Sequence, residues 1–157
     1  MAYARASAMI ATPIGPIRVE AEGDVLTGIR IGRGGPSDSG HPAVDEAVAQ
    51  LSAYFDGRLT RFDLPLAPLP SDRGPELRDA ICGIGYGETA TYGDLAARTG
   101  ASARAVGQAC ATNPFPIVVP CHRVLGAGGT LSYYSAGDGP DTKIWLLKHE
   151  RAEGWLL

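Results

Sequence analysis

The stretch from Pro114 to Val124 reads PFPIVVPCHRV, and it ends in a reactive cluster of Cys121, His122 and Arg123. A thiol flanked by an imidazole and a guanidinium sits in an electropositive setting, which favours the nucleophilic thiolate. The apolar run Ile117-Val118-Val119 fits a buried strand or a rigid extended segment. Pro120 fixes its own φ and biases Val119 toward an extended backbone. The thiol that follows should therefore be held in place. A cysteine is also a good small buried hydrophobe, and that reading of Cys121 stands beside the nucleophile. Cys82 and Cys110 lie in helical patterns among small or apolar residues and read as core.

Of the three histidines, only His122 is next to a thiol. Sequence neighbours diverge on a strand, but a helical turn at Cys121 would let the two approach through a water. Such an imidazole needs a carboxylate to orient it. The late candidates are Asp138, Asp141 and Glu150, and Glu150 reads equally well as a solvated helix-end charge. Arg104 is the only charge on a stretch otherwise made of Ala, Val, Gly, Gln and Cys. Small side chains permit close approach to a partner surface, past which one arginine could reach. A helix packed in the core with an exposed arginine is the alternative. No CxxC or HxxxH pair is present, so no zinc site is expected.

The elements that must carry these residues follow from periodicity and punctuation. Ser7–Thr12, Pro16–Glu22 and Val25–Ile31 read as an antiparallel meander with Pro/Gly turns, and 32–41 as a loop. Pro42 to Gly57 has a helical period through Val44, Val48, Leu51 and Phe55. Phe62, Leu64 and Leu66 alternate as in a strand. Residues 1–66 thus form an N-terminal α/β domain, a small antiparallel sheet plus a helix. A Pro- and Gly-containing linker, 67–75, leads to a mainly helical C-terminal domain, 76–157. There Pro75–Ile84 reads as a helix. Thr91 caps a helix over Tyr92–Thr99 that stops at Gly100, and Ser102 caps another over Ala103–Ala111. Two short helices joined by a tight turn form a helix-turn-helix pattern. Gly126–Gly139 is a glycine-rich loop, and Pro140 opens a last helix to about Ala152.

With 157 residues the chain has enough length for a real core, and 45% hydrophobic with 20% charged residues is ordinary for a globular protein. Apolar runs are too short to span a bilayer, and the N-terminus lacks the pattern of an export signal. Together with an odd cysteine count these point to a reducing cytoplasm. The net charge of −3 argues only weakly against nucleic acid, since the local charge of a docking face decides phosphate contacts.

Taken together, Arg104-Ala105-Val106-Gly107, Asn113-Pro114 and Pro120-Cys121-His122-Arg123-Val124 resemble the O6-alkylguanine-DNA alkyltransferases, or methylated-DNA–protein-cysteine methyltransferases. Tyr86-Gly87-Glu88 through Tyr92-Gly93-Asp94-Leu95-Ala96 is similar to the family's YGE-T-x-x-YG-x-LA pattern. Weaker matches extend across the N-terminal half, at Thr12–Gly15 and Gln50–Leu66.

The resemblance implies direct repair of double-stranded DNA by a cofactor-free monomer. The alkyl group would move from O6 of guanine, with O4 of thymine as a further target, to Cys121 in a single turnover. His122 would take the thiol proton through water and Glu150 would hold His122. Asn113 would brace the active-site turn, and Tyr92 would donate to the leaving base. The Ser135 N–H would face O6, and the Cys121 and Val124 carbonyls would accept from the guanine amino group. Tyr134 and Pro116 would wall the pocket. Arg104 would replace the flipped nucleotide in the stack, with Ala105 and Gly107 letting the helix approach the minor groove. Cys110 and Arg123 are counted with the DNA- and base-contacting residues. The family's zinc-bearing members use Cys and His in the N-terminal half, where this chain has no cysteine, so no metal is expected.

Four features depart from the family pattern, one of them the segment Gly137–Thr142, which is longer than the pattern. Asp72–Arg78 lacks the usual bulky core residues, and Gly85 stands where the family has proline. The pocket loop reads Leu131-Ser132-Tyr133-Tyr134-Ser135-Ala136 in place of a glycine-rich approach. Ser132, Tyr133 and Ala136 are expected to narrow the pocket or to change which alkyl groups fit. Two other classes remain open on these residues: a module that binds alkylated DNA without repairing it, and a Cys-His hydrolase.

Overall fold

The computed structural model describes residues 4–38, 40–69 and 73–156. The chain divides into two compact units, 1–67 and 68–157. Part of the expected linker, 70–72, lies outside the described residues, as does Asp72 of the departing helix motif.

In the first unit β1 (Arg5–Ile10), β2 (Ile17–Glu22) and β3 (Val25–Ile31) form an antiparallel sheet in that order. The β1–β2 turn closes on Thr12, whose hydroxyl donates to the Gly15 carbonyl at 2.6 Å, with Gly15 at φ +98°. α1 (Pro42–Phe55) packs on the sheet through Val44, Ala47, Leu51 and Tyr54, all buried. The fully buried ring belongs to Tyr54 rather than to the expected Phe55, because the inward line runs through positions spaced three and four apart. The expected strand at Phe62–Leu66 does not form. Its side chains alternate in burial, but only Leu66 bridges β3, at Leu26, and Pro65 has no N–H to extend a ladder.

The second unit is helical: α2 (Gly74–Cys82), α3 (Tyr92–Thr99), α4 (Ala103–Ala111) and α5 (Pro140–His149). α2, α3 and α4 pack on one another. α3 opens with a capping box: Thr91 Oγ1 accepts from the Asp94 N–H while Asp94 Oδ2 accepts from the Thr91 N–H, both at 3.0 Å. Gly100, left-handed at φ +73°, ends it, and Ser102 Oγ accepts from the Ala105 N–H to start α4. A two-residue parallel pair, β4 (Ala90–Thr91) with β5 (Val124–Leu125), completes the frame. It fixes the start of α3 beside the end of the Cys121 segment. α5 ends at His149, with Glu150 as its cap, rather than at about Ala152, because Arg151 turns left-handed, φ +54°. Among the described residues no helix is long and apolar enough to cross a membrane.

Candidate active site

Ile117–Val119 is neither a strand nor extended. Phe115 to Val119 turns back on itself, with the Val119 N–H donating to the Phe115 carbonyl at 2.9 Å. Ile117 sits at φ +75°, a conformation that costs a β-branched residue about 1–3 kcal/mol. Asn113 holds the turn. Its Oδ1 accepts from the Phe115 N–H at 3.0 Å, and its Nδ2 donates to the Val119 carbonyl at 2.9 Å and to Cys121 Sγ at 3.3 Å. One amide thus closes the loop and touches the thiol. Cys121–Arg123 then forms a single 3-10 turn leading into β5.

His122 and Glu150 are both buried, and His122 Nε2–H donates to Glu150 Oε2 at 2.8 Å. His122 Nδ1 is buried with no partner among the described residues. Burial pushes the imidazole pKa down, against the pull of Glu150, so the resting ring is neutral. Burial would raise the Glu150 pKa, but the hydrogen bonds from His122 and Arg123 prevail and hold it well below the usual carboxylate range. Asp138 and Asp141, the other carboxylate candidates, are exposed.

Arg123 differs from its expected part in DNA or base contact. It is buried, with Nε and Nη2 donating to Glu150 at 2.8 and 3.0 Å and Nη1 donating to the Ile84 carbonyl at 2.6 Å. Its charge is therefore directed at Glu150, and the expectation that Arg123 and His122 make Cys121 a resting thiolate does not hold. The Cys121 thiol pKa is pushed well up, first by its hydrogen bond to Cys110 and then by burial; Asn113 and Lys143 pull the other way. Cys110 is half-buried at the thiol, and Cys82 is exposed rather than core because it ends α2.

The cavity over Cys121 is small, about 20 Å³, and is lined by Tyr92, Gly107, Cys110, Tyr133, Tyr134 and Ser135 among others. Tyr134 is buried, its hydroxyl without a partner among the described residues. Burial drives its pKa far up, so it stays a neutral phenol. Tyr133 is 72% exposed at the rim. The Ser135 N–H takes no partner among the described residues. Pro116 is buried but is not among the lining residues, since the turn at Ile117 carries it inward. Ala136 is likewise not a lining residue. Val124 also departs from expectation: it has no exposed surface, and its carbonyl already accepts Lys143 Nζ at 2.6 Å. Arg104 is exposed on α4, and a Cβ built on Gly107 would meet nothing within 4 Å.

Two further residues meet here outside the cavity lining: Ser132, which was expected to narrow the pocket, and Lys143, to which no role had been assigned. Lys143 is wholly buried on α5, and Ser132 links it to Tyr92. The signal for Lys143 was its helical register, since it shares an inward face with Leu146, Leu147 and Glu150.

The profile of the 6-O-methylguanine DNA methyltransferase DNA binding domain matches residues 76–152, and that of the family's ribonuclease-like domain matches 6–68. The chain belongs to this family. Methylated-DNA--protein-cysteine methyltransferase of Mycobacterium leprae is 42% identical over 148 residues, 89% of this chain and 88% of the relative. The Mycobacterium tuberculosis H37Rv protein of that name is 43% identical over 153 residues, covering 91% and 90%. Among solved structures, Mycobacterium tuberculosis OGT in complex with DNA superposes with TM-score 0.80 at 42% identity, covering 93% of this chain and 94% of that one. Among the described residues no group of His, Cys, Asp and Glu could hold a metal ion.

Proposed function

We propose that this member of the family repairs duplex DNA by moving the alkyl group from O6 of guanine, and by the same geometry from O4 of thymine, to Cys121. The observation that carries the reading is the order Cys121, His122, Glu150. The thiol accepts from Asn113, and the next residue in the chain carries a neutral imidazole whose Nε2 is fixed on Glu150 and whose Nδ1 has no partner among the described residues.

The Cys121 Sγ–C bond forms as the C–O6 bond breaks. The thiol proton passes to His122 Nδ1 through a water. Glu150 stabilises the imidazolium that results. The guanine leaves with the bonding pair and takes a proton from Tyr92, while the Ser135 N–H faces O6. A raised thiol pKa suits this order, because the proton then leaves only as the bond forms. The thioether has no simple route back to thiol, so each chain acts once.

The target atom is buried in the base stack, so the nucleotide must flip out. Arg104 enters the stack from the minor groove. Gly107, which no internal contact requires to be glycine, and Ala105 let α4 lie against the backbone. α3, the turn Gly100–Ser102 and α4 serve as the helix-turn-helix. The resting cavity, about 20 Å³, is smaller than a purine, so admitting the base widens it. All the groups in this scheme come from one copy of the chain, in keeping with a monomer.

Titration with a duplex carrying O6-methylguanine tests the reading: repair should stop at one lesion per chain. Continued turnover would favour a hydrolase. The narrow cavity supports one second reading, binding of lesion DNA without transfer, which tight binding with no repaired product would favour.

A further inference from the structure

Lys143 is a buried ammonium for which the scheme above has no use. It comes from α5, and its Nζ donates to the Val124 carbonyl at 2.6 Å and to Ser132 Oγ at 2.9 Å. Ser132 Oγ lies 3.0 Å from the Tyr92 hydroxyl. Ser132 has a single hydrogen. With the lysine donating to its oxygen, that hydrogen has two acceptors within reach: the Tyr92 oxygen at 3.0 Å and the Val124 carbonyl at 3.4 Å. The nearer bond has the better geometry, and the Val124 carbonyl is already served by the ammonium. Tyr92 then accepts from Ser132, and its own O–H is left to point into the cavity over Cys121, which it lines.

We propose that Lys143 and Ser132 are positioning residues that supply, through Tyr92, the proton taken by the leaving guanine. The inference rests on the alkyl-transfer reading above. As the C–O6 bond breaks, the base anion takes the Tyr92 proton. Tyr92 takes the Ser132 proton, and Ser132 takes one from the Lys143 ammonium, which is left as a neutral amine. Afterwards His122 gives its proton to solvent and Lys143 recovers one, so the sum is thiol plus alkylguanine giving thioether plus guanine.

Two features of the site support such a chain. Tyr92 is a reluctant acid by itself: burial pushes its pKa up, so a tyrosinate left behind would be unfavourable. Lys143 is a willing one: burial lowers it to about 8, with Cys110 and Cys121 opposing that shift. The relay spares Tyr92 the charge and ends in an amine that the apolar surroundings favour. Ser132 also falls within the loop that departs from the family's glycine-rich pattern, so the link is a feature of this chain's own sequence.

The test is single-turnover transfer by Ser132→Ala, which breaks the chain while leaving Tyr92 and Lys143 in place. Ser132→Thr restores the hydroxyl, and Lys143→Met removes the donor. Transfer from an O6-methylguanine duplex should slow about a hundredfold in Ser132→Ala, the low end for loss of general acid assistance, and recover in Ser132→Thr. The decisive readout is sensitivity to the leaving base. O6-benzyl-8-bromoguanine leaves as a less basic anion than O6-benzylguanine, so the penalty in Ser132→Ala should shrink with the bromo compound. An unchanged rate, or an equal penalty with both bases, overturns the relay while leaving alkyl transfer intact. If the unaltered protein transfers nothing to Cys121, the reading beneath falls and the relay falls with it.

Discussion

His122 Nε2 lies 2.8 Å from Glu150 Oε2, and the pair is sealed from solvent with Arg123 donating to both carboxylate oxygens. Glu150 therefore holds two cationic or potentially cationic groups, one for chemistry and one for structure. Arg123 in turn ties Glu150 to the Ile84 carbonyl at the end of the α2 segment. Replacing Glu150 with Ala strands a buried guanidinium, and the fold should lose about 3–5 kcal/mol by chemical denaturation at neutral pH.

The same carboxylate sets a pH dependence. Its folded pKa is depressed, so its stabilising share is fully present above the unfolded carboxylate value of about 4.3 and is lost as pH falls below it. Denaturation midpoints of the unaltered protein should drop steeply below about pH 4. Glu150→Gln, with nothing to protonate there, should start lower and show a shallower acid limb.

Asn113 offsets the strain at Ile117 with three hydrogen bonds. Asn113→Ala leaves the buried Phe115 N–H unpaired and should cost about 1–3 kcal/mol. It should also slow alkyl transfer in the surviving folded protein, because the thiol loses its one amide donor. Wild-type kinetics at full folded fraction would contradict the brace.

Arg104 is exposed, and its proposed work is done only in a duplex. Arg104→Ala should slow repair of duplex O6-methylguanine by more than about tenfold, the effect of leaving a few kcal/mol of unstacking uncompensated. Reaction with free O6-benzylguanine should hardly change. Equal losses on both substrates would remove the role.

At Gly107 the folded chain leaves open space, so a side chain is acceptable to the fold. Gly107→Leu should raise helix stability by about 0.5–1 kcal/mol. Its affinity for duplex DNA should fall, which separates a docking constraint from a packing one.

Much of this site was legible because its signals are local. The capping residues Thr91 and Ser102 and the stop at Gly100 mark both short helices, and Glu150 sits where α5 ends. What sequence did not carry was direction. Arg123 neighbours Cys121 in the chain, yet its guanidinium turns to Glu150 and leaves the thiol protonated. Ile117-Val118-Val119 has the composition of a strand, but Asn113 bends it into a turn, overriding local preference. Lys143 belongs to no motif, and only its register with Leu146 and Glu150 marks it as interior. The alternation at Phe62–Leu66 was real, but Pro65 denied it a ladder.

Two thiols, Cys121 and Cys110, share the cavity, so the most direct measurement is the site of the adduct. Fresh reduced protein is incubated with an O6-methylguanine oligonucleotide, and intact mass is followed by peptide mapping. The account predicts one added methyl, carried by the Cys121 peptide and absent in Cys121→Ala. A methyl on Cys110, or none on either thiol, would contradict it.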